Sequence, residues 1–200
     1  MDFTFDSHLI RLAVKIVIAA IGLLLLWMTR RGQRKQLDDL SVQLGGGPVS
    51  GEGGPGQSLP LFDDGVERRV RLEPGSWRSN LAPALILEQM VPLGFQVKIE
   101  RRIPWYKRQA FLWDRLRPLA LGDSAFDQAY QVRASDREPA IAFLNHFGRR
   151  EAVDYFFQKG FNQIWADPEG VRAKKTGYKD EDLNPGQIQE YFNQLRHFVN

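Results

Sequence analysis

A chain of 200 residues with 43% hydrophobic and 26% charged side chains can fold one or two domains, which excludes disorder throughout. Its net charge of +3 is too small for a bulk polyanion-binding footprint. The absence of cysteine excludes a disulfide framework, a thiol nucleophile, a lipoprotein anchor and a thiolate metal site.

The first element in chain order is an apolar helix over about 9–28. From Ile16 to Met28 every residue is apolar or glycine. Extending back to Leu9 gives about 20 residues, roughly 30 Å of helix, enough to cross a bilayer core once. Arg11 and Lys15 sit four apart on one face, where their stems reach back to the near interface, and Trp27 lies where an interfacial aromatic belongs. A cleaved secretory signal is disfavoured, because Trp27-Met28-Thr29-Arg30-Arg31 follows the apolar core with no small-x-small cleavage site. Arg30, Arg31, Arg34 and Lys35 flank the C-terminal side, so the positive-inside rule places the rest of the chain in the cytoplasm of a cell with this helix in its inner membrane. The periplasmic orientation is the alternative, since Arg11 and Lys15 weaken the asymmetry.

Residues 32–60 read as a tether. Gly45 to Ser58 holds a dense run of glycines with two prolines, which predicts a flexible linker that lets the domain move near the membrane. It is no phosphate loop, lacking the lysine–serine/threonine pair and the following apolar helix.

Residues 61–200 predict an α+β domain with a mixed or antiparallel sheet and three to four helices. Val66, Val70 and Leu72 alternate imperfectly with charged residues, a short strand. Ala84 to Met90 is an apolar run readable as strand or helix. Phe95, Val97 and Ile99 alternate with Gln96, Lys98 and Glu100, a half-buried strand. Trp105 to Leu116 has helical character after Pro104, and Tyr130, Val132 and Ala134 mark another strand. Ser135-Asp136-Arg137-Glu138 fits a capping box ahead of a helix bearing Ala140, Phe143, Leu144 and Phe147. Gly148 ends that helix, and Gly160 closes a second one over 149–159. Asp167-Pro168-Glu169-Gly170 carries a type I turn signature between strands over 161–166 and 171–176, hence a hairpin. Asn184 caps a last helix with Pro185 at its first position, Gln187 completing a capping-box-like pair, and Ile188, Phe192, Leu195 and Val199 on its apolar face.

The stretch Gly122-Asp123-Ser124-Ala125-Phe126-Asp127-Gln128-Ala129-Tyr130-Gln131-Val132-Arg133-Ala134-Ser135-Asp136 resembles a pattern in uncharacterised bacterial membrane-anchored proteins. Those carry an Asp, a Phe-Asp, an aromatic, a valine and an Asp, followed by helix, hairpin and helix. The resemblance covers about the last 80 residues. It implies the same architecture and a bacterial source, and supplies no activity and no catalytic residues.

No constellation for catalysis, metal or cofactor binding stands out. His8 precedes the apolar span, and His146 and His197, late in predicted helices, lack acidic partners at ligand spacing and read as surface or capping residues. Asp123 and Asp127 read as turn and cap carboxylates, because no third group completes an acid–base site. The most suggestive patch is Lys98, Arg101, Arg102, Trp105, Lys107, Arg108, Arg115 and Arg117, interleaved with further aromatics. Such a mixture suits the rim of a core first, then an anionic membrane surface or a partner protein, with nucleic acid last. The functional expectation is therefore a non-enzymatic, membrane-anchored accessory or interaction protein. Its alternatives are a domain that binds anionic lipid headgroups and an enzyme whose motif goes unrecognised.

Overall fold

The computed structural model describes residues 7–51, 56–63, 65–75, 81–102 and 116–199. An N-terminal helix, α1 (Ser7–Leu44), leads into an antiparallel sheet and a group of shorter helices. The strands are β1 (Gln57–Asp63), β2 (Val66–Glu73), β3 (Ala84–Gln89), β4 (Val97–Arg101), β5 (Arg117–Leu119), β6 (Tyr130–Ala134), β7 (Gln163–Asp167) and β8 (Gly170–Thr176). The helices after α1 are α2 (Ser124–Ala129), α3 (Arg137–Asn145), α4 (Arg149–Gln158) and α5 (Pro185–Leu195).

The sheet runs in the order β1-β2-β3-β8-β7-β4-β6-β5, with every pairing antiparallel. Side chains alternate between its faces, so the register sorts them into rows. Val70, Leu87, Ala173, Ile164, Ile99 and Val132 form one row facing the helices, and all six are buried. One residue along, Arg69, Glu88, Arg172, Trp165, Lys98 and Arg133 form a mostly charged row on the other face. The α+β class is as expected, and the 84–90 run resolves as strand, since neighbours on both sides pair its backbone.

The helices close the core. Phe143 and Leu144 of α3, Phe156 and Phe157 of α4, and Ile188, Tyr191, Phe192 and Leu195 of α5 are buried together. Burying each large side chain is worth about 1.5–3 kcal/mol before chain entropy is charged against it. The cap of α3 differs from expectation. Asp136 is its N-cap, while Ser135 Oγ accepts from the Gln96 N–H at 3.0 Å and donates to Asp136 Oδ2 at 2.8 Å, which spends the hydroxyl on the sheet. At α5 Asn184 caps as expected, accepting from Gly186 N–H at 3.0 Å, but Gln187 donates to Glu190 at 2.9 Å rather than back to the cap.

The segment 32–60 is more structured than its composition implies. Residues 32–44 continue α1, and β1 already begins at Gln57. Gln33, Leu37 and Leu40 are buried and Leu44 half-buried, a spacing of four, three and four that puts them on one helical face against the sheet. Two leucines in a polar stretch carry too little periodicity to announce this. The described part of the glycine run then lies along β1, with Gly47 N–H on Pro60 O at 2.9 Å and Ser50 N–H on Ser58 O at 2.8 Å. A Cβ on Gly46 would come within 2.8 Å of both Leu59 Cδ1 and Leu61 Cδ2. Glycine there permits close approach of backbone to strand.

Candidate functional site: the N-terminal helix and the cationic sheet end

α1 changes character along its length. Leu12, Ile16, Val17, Ile18, Ile21, Leu23, Leu24, Leu25, Trp27 and Met28 are all exposed, and the helix is long and apolar enough to cross a membrane. Arg31 lies over the Trp27 ring at 5.2 Å, marking the change from apolar to cationic surface. Beyond it, Gln33 Nε2 donates to the Tyr178 hydroxyl at 3.4 Å and Gln36 Nε2 to Asp180 Oδ1 at 2.9 Å. These bonds tie α1 to the loop after β8. Burial, the largest influence, pushes the Tyr178 phenol above its ordinary value, so it stays neutral there.

The structure divides the basic patch expected over 98–117. Lys98 lies on the charged sheet face, 3.2 Å from Glu100 Oε1. Arg101 and Arg102 lie at the outgoing end of β4, both exposed. Arg101 Nη2 donates to Phe157 O at 2.5 Å and Arg102 Nη1 to Asp127 O at 2.6 Å. Arg117 begins β5 opposite Ala134, and Ala134 pairs with Val97, so Arg117 sits at the other end of the sheet. Trp105, Lys107, Arg108 and Arg115 lie outside the described residues.

A shallow groove between β5 and α2 is lined by Arg102, Asp127 and Tyr130 among others. Its titratable groups are committed elsewhere. Asp127 accepts the Leu121 and Gly122 N–H groups, each at 3.0 Å, and its neighbour Asp123 caps α2 and meets Arg150 Nη1 at 2.7 Å. Tyr130 donates to Asp154 Oδ1 at 2.6 Å, and burial first, then that carboxylate, push its phenol upward. Such a phenol does not exchange protons near neutral pH.

His146 follows α3 and His197 lies beside Gly148, both exposed; of the His8 side chain nothing is described. Among the described residues no three His, Cys, Asp or Glu side chains are grouped to hold a metal ion. Sequence reasoning singled out Arg101 and Arg102 but missed Gln33, Leu37, Leu40 and Tyr178, the groups that join α1 to the rest of the fold. Of these only the 37/40 spacing left a trace in the sequence.

No family model matches the chain, and no curated protein does. Among solved structures it is similar to the crystal structure of the mycobacterial trehalose monomycolate transport factor A, TtfA. The TM-score is 0.54 at 12% identity, over 84% of this chain and 93% of that one. Identity that low shows a shared fold alone.

Proposed function

We propose that this chain is a membrane-anchored accessory protein, crossing the bilayer once through α1 and engaging other proteins through its α+β domain. One observation carries the reading. The same helix whose first part exposes eleven large apolar side chains among the described residues has a second part packed on the sheet through Leu37 and Leu40, so anchor and domain are continuous. Confinement next to the bilayer raises the domain's effective concentration for membrane partners without any new contact. The structural neighbour's designation as a transport factor fits an accessory role beside membrane machinery.

In this reading the domain lies at the cytoplasmic face of a bacterial inner membrane. Arg30, Arg31, Arg34 and Lys35 directly after the apolar run support that side, and the resemblance of residues 122–136 supports the source. The experiment has two parts. Fractionation of expressing cells should leave the chain in the membrane pellet through alkaline carbonate, and removal of residues 9–28 should release it. Glu169→Cys then supplies a single reporter on an exposed turn of a chain without cysteine. A membrane-impermeant maleimide should label it only after lysis. Labelling in intact cells with a permeabilised outer membrane reverses the side, and extraction by carbonate removes the anchor.

A further inference from the structure

We propose that one end of the sheet rests on anionic lipid headgroups, with Arg101 and Arg102 as the cations that hold it there. This rests on the anchor reading above and extends it from attachment to orientation.

The geometry starts at Gln33, five residues past Met28, where the apolar run ends. A helix rises about 7.5 Å over that distance, close to the ~5–8 Å depth of one headgroup layer. Gln33 contacts Tyr178, three residues after Lys175 in the chain, so the outgoing end of β8 sits at headgroup height. The register carries that height across the sheet. Gln57, Leu72, Leu85 and Lys175 are in one row; Lys175 Nζ donates to Lys159 O at 2.7 Å, just past α4, and Arg101 donates to Phe157 O two residues earlier. Leu44, at the other end of the docked stretch of α1, lines a groove with Phe62 and Asp63, so the helix runs along the strands and its near end is the Arg101 end.

Charge separates the two ends. At the far end arginines are matched to carboxylates: Arg68 and Arg196 both meet Asp63 Oδ2, at 2.5 and 2.6 Å, and Arg172 pairs with Asp167 and Glu169. At the near end Arg101 and Arg102 donate to neutral main-chain carbonyls while remaining exposed, so these bonds position the guanidinium groups without neutralising them. Arg30, Arg31, Lys35, Lys159 and Lys179 are exposed at this end too. Against them stand Asp180, which accepts from Gln36, the exposed Glu181, Asp127 beside Arg102, whose carboxyl accepts two main-chain N–H groups, Asp154, which accepts from the Tyr130 hydroxyl near Arg101, and Glu190, whose carboxyl is lowered first by the Tyr155 hydroxyl bond and further by Lys159. Cations remain in excess. Leu81, 63% exposed just before β3, adds an apolar side chain where an interface would take it.

The test uses the full chain reconstituted into vesicles, carrying a fluorophore on Ala82→Cys at the near end or Glu169→Cys at the far end. The vesicles contain a headgroup-quencher lipid in either phosphatidylglycerol-containing or purely phosphatidylcholine bilayers. Stronger quenching at 82 than at 169, and more of it at 82 on the anionic vesicles than on the zwitterionic ones, is the expected result. Arg101→Gln with Arg102→Gln should lower the docked-to-undocked ratio about fivefold per cation removed. Equal quenching at both sites overturns the orientation. Equal quenching of 82 on both lipids overturns the headgroup contact and assigns the orientation to α1 or to a protein. A chain that fails to float with vesicles overturns the anchor reading itself. Should the double variant misfold, the comparison of lipids on the unaltered arginines still decides.

Discussion

Lys175 Nζ lies 2.6 Å from Asp182 Oδ1, joining the outgoing end of β8 to the single 3-10 turn (Asp180–Leu183) that leads into α5. The same carboxyl accepts the Lys179 N–H at 2.9 Å and the Tyr191 hydroxyl at 3.3 Å. Burial by itself pushes Asp182 upward, but the Lys175 bond and then the Lys179 N–H outweigh it and hold the carboxyl below its ordinary value. A lowered folded-state pKa contributes stability above the unfolded value, about 3.9, and loses it as pH falls through the folded one. Asp182→Asn is therefore expected to cost about 3 kcal/mol at pH 7, since it leaves Lys175 unpaired in a mostly enclosed site. Thermal unfolding in detergent should show the gap between variant and parent closing below about pH 4. A gap independent of pH would sink this account.

Gly170 and Gly122 separate two demands on glycine. Both have positive φ, at 140° and 81°, but a Cβ on Gly170 would lie 2.3 Å from Gln89 O, whereas one on Gly122 meets nothing within 4 Å. Gly122→Ala should cost about 1–2 kcal/mol, the backbone term alone. Gly170→Ala adds a clash with the backbone at the end of β3 and should cost clearly more, read as a further fall in the unfolding midpoint. Equal losses would mean the hairpin shifts freely.

Arg68 is buried, with its Nε lacking a partner and its Nη1 on Asp63 Oδ2 at 2.5 Å, and it lies over the Phe192 ring at 5.5 Å. Desolvation offsets much of the attraction in such a pair. Arg68→Met keeps the stem packed on Phe192 and leaves Arg196 on Asp63, so its stability should fall within about 1 kcal/mol of the parent or above it. Denaturant midpoints measure this, and a loss of several kcal/mol would show the ion pair to be a net stabiliser.

How much of this was legible in the sequence depends on how each element announces itself. β4, β6 and the β7–β8 hairpin carry alternation or turn chemistry, and α5 carries both a cap and a face, so they could be read locally. β1 and β5 could not: each is an edge strand holding a proline, Pro60 and Pro118, which masks the alternation. α2 is a single turn and a half whose cap, Asp123, read only as a turn residue. The candidate surface was half legible. Arg101 and Arg102 stood out by composition, but their separation from Arg117 is a matter of register, fixed by pairing between strands distant in sequence. Gln33 and Tyr178 meet across 145 positions, a contact no local pattern encodes.

The docking of α1 is the relationship on which the functional reading depends, and Leu37 and Leu40 test it. Both are buried on the face that continues through Leu44, with Gln33 leading it. Leu37→Ala and Leu40→Ala should each cost about 2–5 kcal/mol of local stability, cavity term included. If α1 and the sheet unfold as one unit, that loss appears globally. If the helix detaches first, it appears as faster amide exchange over 33–44 and protease cleavage after Arg34 or Lys35, with the core strands still protected. In either case the double variant should remain in the membrane fraction, because residues 9–28 are untouched. Unchanged exchange over 33–44 in the double variant would mean that the helix is held by other contacts, such as Gln33–Tyr178 and Gln36–Asp180, rather than by these two leucines.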